Sequence, residues 1–392
     1  MSHKLARVKA LGFLCRKNRS DMYKTRNLPN TRIEVADALR GIAVIGIILF
    51  HSVEHFNIFP AEPAVHTLPC DQLVSDVLAW LLSGKMYGIF AMLFGLSFFI
   101  QNDNQQQMGR SFSGRFAWRM FLLLCFGIVN MSLYDGDILM VYAFVGLILI
   151  PISYLPSKVV WIIIAILAIQ PVEIYRLISG WDMDTDKLWG LADYMGDVHM
   201  KGSFLENTWC NFRWGFIFVV KYYIYSGRLT QIMCLFILGM QLGRQRFFYN
   251  EGRNLHYWHI ILCVSTVMSA VLTIVNLGKL SVWLTPIRNF FILFMIVSAV
   301  VSAWYAFTGF RNVLHHLCIF GRMSLTNYFL QSILGSFIFC GFGLACYHWV
   351  GITYAVLIGV GMIVIQYTFC RFWFRNHTRG PLEGLWRKLT WI

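Results

Sequence analysis

Apolar runs long enough to cross a bilayer, about 20 residues each, recur along the whole of this 392-residue chain. Their lengths and the breakers between them predict helices over 38–59, 84–101, 116–133, 138–155, 158–178, 229–243, 258–277, 289–308, 324–343 and 352–370. The gaps between runs alternate in charge. Lys4, Arg7, Lys9, Arg16, Lys17 and Arg19 precede the first run, whereas the gap after it holds Glu62, Asp71 and Asp76 but no Lys or Arg before Asp76. Arg110 and Arg115 fill the next gap, and the one after it is acidic around Asp135 and Asp137. Arg244, Arg246 and Arg253, then Arg311 and Arg322, then Arg371 and Arg375 return to the side of the N-terminus. Basic residues favour the cytoplasmic face. The alternation therefore predicts an all-α, polytopic transmembrane helix bundle of about ten spans with both termini cytoplasmic.

Two stretches fall outside that scheme. Residues 71–83 read as a helix in the outer interface. In 179–228 the first half, with Asp182, Asp184, Asp186, Asp193 and Asp197, reads as an outer loop. Its second half, Phe212 to Tyr225, is aromatic but interrupted by Arg213 and Lys221, which suits an interfacial or re-entrant helix. The organisation expected is a basic cytoplasmic tail over 1–31, an N-terminal transmembrane half over 32–178, the outer segment over 179–228 and a C-terminal half over 229–392. The tail around Leu5 to Leu14 reads as solvated topogenic sequence, and no cleavable signal is expected. No internal repeat is evident.

Composition agrees. Hydrophobic residues make up 57% and charged residues 13%, against about 25% charged in soluble domains, and the mean hydropathy is +0.59. The net charge of +14 sits in alternate gaps rather than in one patch, so it reads as topology and not as nucleic-acid binding. The ten cysteines form no CxxC or Cys/His metal spacing. Most lie in or beside apolar runs as small hydrophobes, while Cys70 and Cys210 fall in outer segments where they can pair.

The chemistry concentrates on the first helix. Arg40 precedes an apolar run that ends at His51, Glu54 and His55. At 1.5 Å per residue Arg40 and His51 stand ~16 Å apart along the axis. His51 and His55 are four apart and so share a face of this helix, with Glu54 beside it. Ionisable groups at such depth are expensive and therefore candidates for function. Outer headgroup contact accounts for Glu54 and His55 as well as function does, and accounts for His51 poorly. Lys85, Asp137, Glu173, Arg176, Arg228 and Arg288 reach the same outer depth, some of them as ordinary anchors. A histidine beside a carboxylate makes a general base, which puts Asp137 or Glu54 with His51. On the cytoplasmic side Arg40, Arg115 and Arg119 are suited to phosphate, with plain topogenic charge as the alternative. Asn327 and Gln331 share a face of the ninth helix and suit hydrogen bonds between helices. No P-loop, Ser-x-x-Lys or His-Glu-x-x-His motif occurs, and no metal site is expected.

The run Asp37-Ala-Leu-Arg40-Gly41, continuing to Ile48, resembles the opening of the YeiB-like family of uncharacterised bacterial membrane proteins. Gly84-Lys85 leading to Ser97, Gly136 to Tyr142, Gly321 to Tyr328 and Gly380 to Arg387 resemble the same family in the same order. The likeness covers nearly everything from Arg32 onward. It implies a multi-pass protein of the bacterial inner membrane, related to transmembrane acyltransferases in which an Arg-Gly is followed on the same helix by a functional His. The function this implies is transfer of an acyl group from cytoplasmic acyl-CoA to a glycan or lipid-linked acceptor at the outer face. His51, Asp137 and Glu54 would be catalytic, Arg40, Arg115 and Arg119 would hold the CoA, and Lys85, His55, Asn327 and Gln331 would line the substrate path. The alternative is a secondary transporter or flippase of a small anionic or lipid-linked solute, with Lys85, His51, Asp137 and Glu173 as its relay.

Overall fold

A backbone in hydrocarbon has no water to bond, so each apolar run must satisfy its own N–H and C=O groups as a helix. The computed structural model describes residues 32–59, 64–180, 184–248, 254–275 and 281–391, and their regular structure is helical, with one isolated bridge between His66 and Val350. In chain order the helices are α1 (Glu34–Val53), α2 (Asp71–Leu82), α3 (Met86–Gln107), α4 (Ser113–Met131), α5 (Leu139–Gly146), α6 (Leu149–Ser153), α7 (Ser157–Ala168) and α8 (Pro171–Ser179). There follow α9 (Thr185–Lys201), α10 (Phe204–Cys210), a π turn at Asn211–Gly215, α11 (Phe216–Tyr225), α12 (Arg228–Arg244), α13 (Leu255–Ile274) and α14 (Ser281–Ala306). The last are α15 (Thr308–Arg322), α16 (Ser324–Phe339), α17 (Cys346–Trp349), α18 (Ile352–Trp373) and α19 (Pro381–Thr390). Among the described residues six helices are long and apolar enough to cross a membrane, or seven if α7 and α8, bent by 41° at Gln170, count as one span. This is the build of a membrane protein. The expected basic tail over 1–31 lies outside the described residues.

Burial sorts the helices. On α12 nearly every side chain from Thr230 to Gly243 is buried, as expected of a central helix that is apolar all round. On α13 only Trp258, Ser265 and Ser269 are buried, and on α18 only a stripe from Ala355 to Cys370. Their other faces present Val267 at 62% and Leu357 at 60% exposure, suited to lipid. Small residues let backbones approach where helices cross. A Cβ added at Gly239 would strike the Met92 carbonyl of α3, and one at Gly95 the Phe236 carbonyl of α12. The same reciprocal fit joins α1 to α15, where Cβ atoms at Gly41 and Gly321 would strike the carbonyls of Leu317 and Asp37.

Three expectations need correction. The first helix was expected to reach residue 59 but ends at Val53, because His55, Phe56 and Asn57 take positive φ of 45°, 57° and 66°. His51 and His55 therefore do not share a helical face. The acidic stretch after 184 is a helix, α9, capped by Asp184, which accepts from the Lys187 N–H at 3.1 Å. It buries Leu188, Met195 and His199 along one stripe, a helical period that its exposed acids disguise. Cys70 and Cys210 are both free; Cys210 is buried, and the exposed Cys70 thiol meets Thr353 Oγ1 at 3.5 Å.

Candidate functional site

The end of α1 opens into a cavity of about 780 Å³. His51, in the last turn, and Glu54, the residue that caps it, form part of the wall. The turn between α4 and α5 contributes Tyr134, Asp135 and Gly136, and α11 contributes Tyr222 and Tyr223. Tyr87 comes from the first turn of α3, Arg228 from the start of α12, and Trp189, Asp193 and Asp197 from α9. The cavity is thus aromatic and acidic with one arginine. The His51 ring lies 4.7 Å from the Tyr134 ring and 5.7 Å from that of Phe56, centroid to centroid. Its Nδ1 is buried and has no hydrogen-bond partner. A buried ring nitrogen without a partner is costly, and the aromatic packing of Tyr134 and Phe56 holds the imidazole in the cavity wall.

The acids divide between two faces of one turn. Asp135 lines the cavity and accepts from Asn57 Nδ2 at 3.0 Å. Burial raises its carboxyl above the usual range, against the opposing pull of His199 and the Asn57 bond. Asp137 is fully buried and accepts from Asn130 Nδ2 at 2.8 Å and from the Met140 N–H at 3.2 Å. Burial pushes its carboxyl up to about 7 even though these donors lower it. Asp137 is thereby tied to Asn130 and to the first turn of α5, and Asp135 is the one of the two presented to the cavity. Composition alone does not separate two acids flanking one glycine. Arg228, which the sequence marked only as a helix start, donates to Ser83 Oγ at 3.3 Å and stacks 4.9 Å from the centroid of Tyr222.

Other candidates lie apart from this wall. Lys85 is 2% exposed, and its Nζ donates to the Ala79 carbonyl at 3.3 Å. His55 bonds the Val350 carbonyl at 2.9 Å, joining α1 to the approach to α18. Asn327 Nδ2 donates to the Phe320 carbonyl at 3.1 Å and meets Cys370 Sγ at 3.4 Å, a link between helices. Gln331, one turn on, is buried with both amide atoms unpartnered.

At the opposite end of α1, Arg40 Nη1 donates to Asp37 at 2.7 Å and Nη2 to Ser97 Oγ at 2.6 Å. Arg115 and Arg119 instead lie flat against the rings of Trp391 and Trp386, 4.2 and 4.3 Å from their centroids. Stacking of this kind occupies the face of a guanidinium and leaves its N–H edge for an oxygen ligand. For the phosphates of CoA, Arg115 and Arg119 therefore fit and Arg40 fits less well, being bonded on both terminal nitrogens.

Residues 242–392 match the family described as "Protein of unknown function (DUF418)". The chain is 27% identical to the uncharacterised protein YxaH of Bacillus subtilis strain 168, across 93% of this chain and 96% of that one. It is 23% identical to an uncharacterised 39.9 kDa protein from the amylase 3′ region of Bacillus acidopullulyticus, across 92% and 94% of the two chains. Against the uncharacterised protein YeiB of Escherichia coli strain K12 it is 24% identical, across 90% and 95%. The likeness to YeiB-like proteins carried by the five motifs holds along the chain.

Proposed function

We propose, for this chain of YeiB-like sequence, a membrane-embedded acyltransferase that moves an acyl group from cytoplasmic acyl-CoA to an acceptor hydroxyl or amine reached from the outer face. The observation that carries the reading is His51, whose partnerless ring nitrogen is held in the wall of the 780 Å³ cavity. In this reading the chain crosses the bacterial inner membrane ten times, through α1, α3, α4, α5–α6, α7–α8, α12, α13, α14, α16 and α18. Both termini then lie in the cytoplasm. Arg244, Arg322 and Arg371, in the last turns of their helices, fall on the cytoplasmic side as topology prefers. The helices α9 to α11 lie at the outer face.

Acyl-CoA, when bound, supplies an activated carbonyl and a thiolate leaving group. Arg115 and Arg119 would hold its phosphates by their N–H edges. His51 takes the proton of the acceptor hydroxyl as the acceptor oxygen bonds to the acyl carbon, and returns that proton to the departing sulfur. Glu54 and Asp135, in the same wall, accept hydrogen bonds from further hydroxyls of the acceptor. Tyr222 and Tyr223, with Arg228 against their rings, add aromatic surface to the same wall, an arrangement suited to a glycan or a lipid-linked acceptor.

The test uses membranes carrying the chain and acetyl-CoA labelled in its acetyl group. Label should pass into the lipid or glycan fraction, and His51→Ala should slow it at least ~100-fold, the low end for a general base. Undiminished transfer by His51→Ala sinks the assignment of the base. No transfer by the wild type, together with solute uptake driven by a pH gradient, would establish a transporter instead.

A further inference from the structure

Beside the cavity, three cations from three helices meet around one turn. Ser83, Gly84 and Lys85 connect α2 to α3, and Gly84 has φ of +79°. Arg228, the first residue of α12, bonds Ser83. Asn289 of α14 packs on Gly84 so closely that a Cβ there would fall 2.6 Å from its Nδ2. Arg288 is its neighbour in sequence. Lys85 is buried, and its two charged neighbours are Arg288 and Arg228.

Their donors are largely unused. An ammonium carries three donors and a guanidinium five. Lys85 makes one hydrogen bond, to a backbone carbonyl. Arg288 donates none to a described residue, and its Nε is buried without a partner. Carboxylates do not balance this group. Glu54 is the acid facing Arg228, and the next, Glu173, lies against Gly227 with Arg176 one helical turn along. Three cations beside two acids, one of which has Arg176 a turn away, leave an excess of positive charge, which is unfavourable at membrane depth. A set of this kind is stable when an anion completes it.

We propose that Lys85, Arg228 and Arg288 form a binding site for a phosphate group. Arginine forks match phosphate oxygens two at a time, and lysine adds a point charge. The Asn289 amide stands at the same turn to donate beside them. Gly84 of this turn and Arg228, bonded to it, also line the cavity wall, so the phosphate enters through the cavity. Its carrier is a lipid headgroup or a soluble phosphate compound. The site does not rest on acyl transfer, and binding is measured without it.

The purified full chain is placed in nanodiscs of zwitterionic phosphatidylcholine and melted with and without millimolar inorganic pyrophosphate, at ionic strength matched with potassium chloride. It is melted in parallel in nanodiscs containing phosphatidylglycerol. A rise in Tm of about 3 °C is expected, the size for a ligand near a hundredfold over Kd. A rise with pyrophosphate assigns a soluble carrier, and one with phosphatidylglycerol alone assigns a lipid. Either rise should vanish in Arg288→Gln and Lys85→Gln. It should persist in Arg288→Lys and Lys85→Arg, which keep the charge and guard against variants that merely misfold. No rise in the wild type, or an equal rise in the Gln variants, overturns the site. Binding that survives His51→Ala while transfer is lost separates this site from the transfer chemistry.

Discussion

The two ends of α1 treat their polar groups in opposite ways. At the Asp37 end Arg40 is bonded to both Asp37 and Ser97, and Gly41 lets the Leu317 backbone of α15 press against the helix. Every feature there is spent on holding α1 in place. At the His51 end the helix stops at Val53, the following residues turn through positive φ, and His51 and Glu54 face a cavity. The end whose run Asp37 to Gly41 resembles the opening of YeiB-like proteins is thus an anchor, and the end with unmet hydrogen-bonding capacity is the candidate site. A motif that identifies a family need not be the motif that works on its substrate.

The contrast is broken most directly at His51. His51→Ala removes the imidazole from the cavity wall and touches nothing at the anchor. We expect transfer to fall by ~10²- to 10⁴-fold, the contribution of a general base, with folded protein recovered in normal amounts. A matching loss of folded protein would show that His51 is structural, and the two ends would then be alike.

The second largest effect belongs to the other end. Gly41→Leu drives a side chain into the Leu317 carbonyl, and backbone cannot move aside as a side-chain tip can. Overpacking costs ~1–3 kcal/mol and occasionally more, and the upper part of that range is expected here. Thermal melting in detergent checks it. Gly384, on α19, has open space where its Cβ would be, and Gly384→Ala should raise the melt slightly, because alanine favours a helix over glycine.

How much of this was legible in the sequence follows the same division. Apolar runs announce helices, so the ten expected segments each have a helical counterpart, even where 138–155 and 158–178 break into pairs. The breaks arise from local geometry: Gln170 enters at φ 60° ahead of Pro171, which opens the next helix. The helix α9 was hidden because its buried stripe is short and its acids point outward. His51 and Glu54 were visible as polar residues closing an apolar run. That Asp135 rather than Asp137 faces the cavity is decided by the turn at Gly136. That Arg228 completes the wall is decided by packing between distant helices. Likewise Arg115 and Arg119 are plain basic residues until α19 brings Trp391 and Trp386 over them.

A smaller change tests whether Arg40 at the anchor is structural. Asp37→Asn keeps the shape of the side chain but removes the charge paired with Arg40 at 2.7 Å. Hydrogen bonds to charged groups are worth ~1.5–3 kcal/mol, and the partly exposed guanidinium can recover some of this from water. A loss of stability near ~1 kcal/mol, with labelled-acetyl transfer unchanged per folded molecule, is expected. A fall in transfer with no fall in stability would mean that Arg40 handles a ligand.

The smallest effect is expected where α19 covers Arg119. Trp386→Ala removes the ring from the guanidinium face, a cation–π contact worth ~0.5–2 kcal/mol. The helix itself stays attached, because Glu383 still accepts from the N–H groups of Leu325 and Thr326 at 2.8 and 3.0 Å, and Trp118 still donates to the Leu389 carbonyl at 2.9 Å. The loss should therefore appear as a modest fall in Tm and as a change in the apparent affinity for acetyl-CoA, with kcat preserved. An unstacked Arg119 is less oriented and should raise KM severalfold. If Trp386→Ala leaves both kcat and KM unchanged, the covered arginines play no part in holding the donor, and the anchor end has no share in chemistry at all.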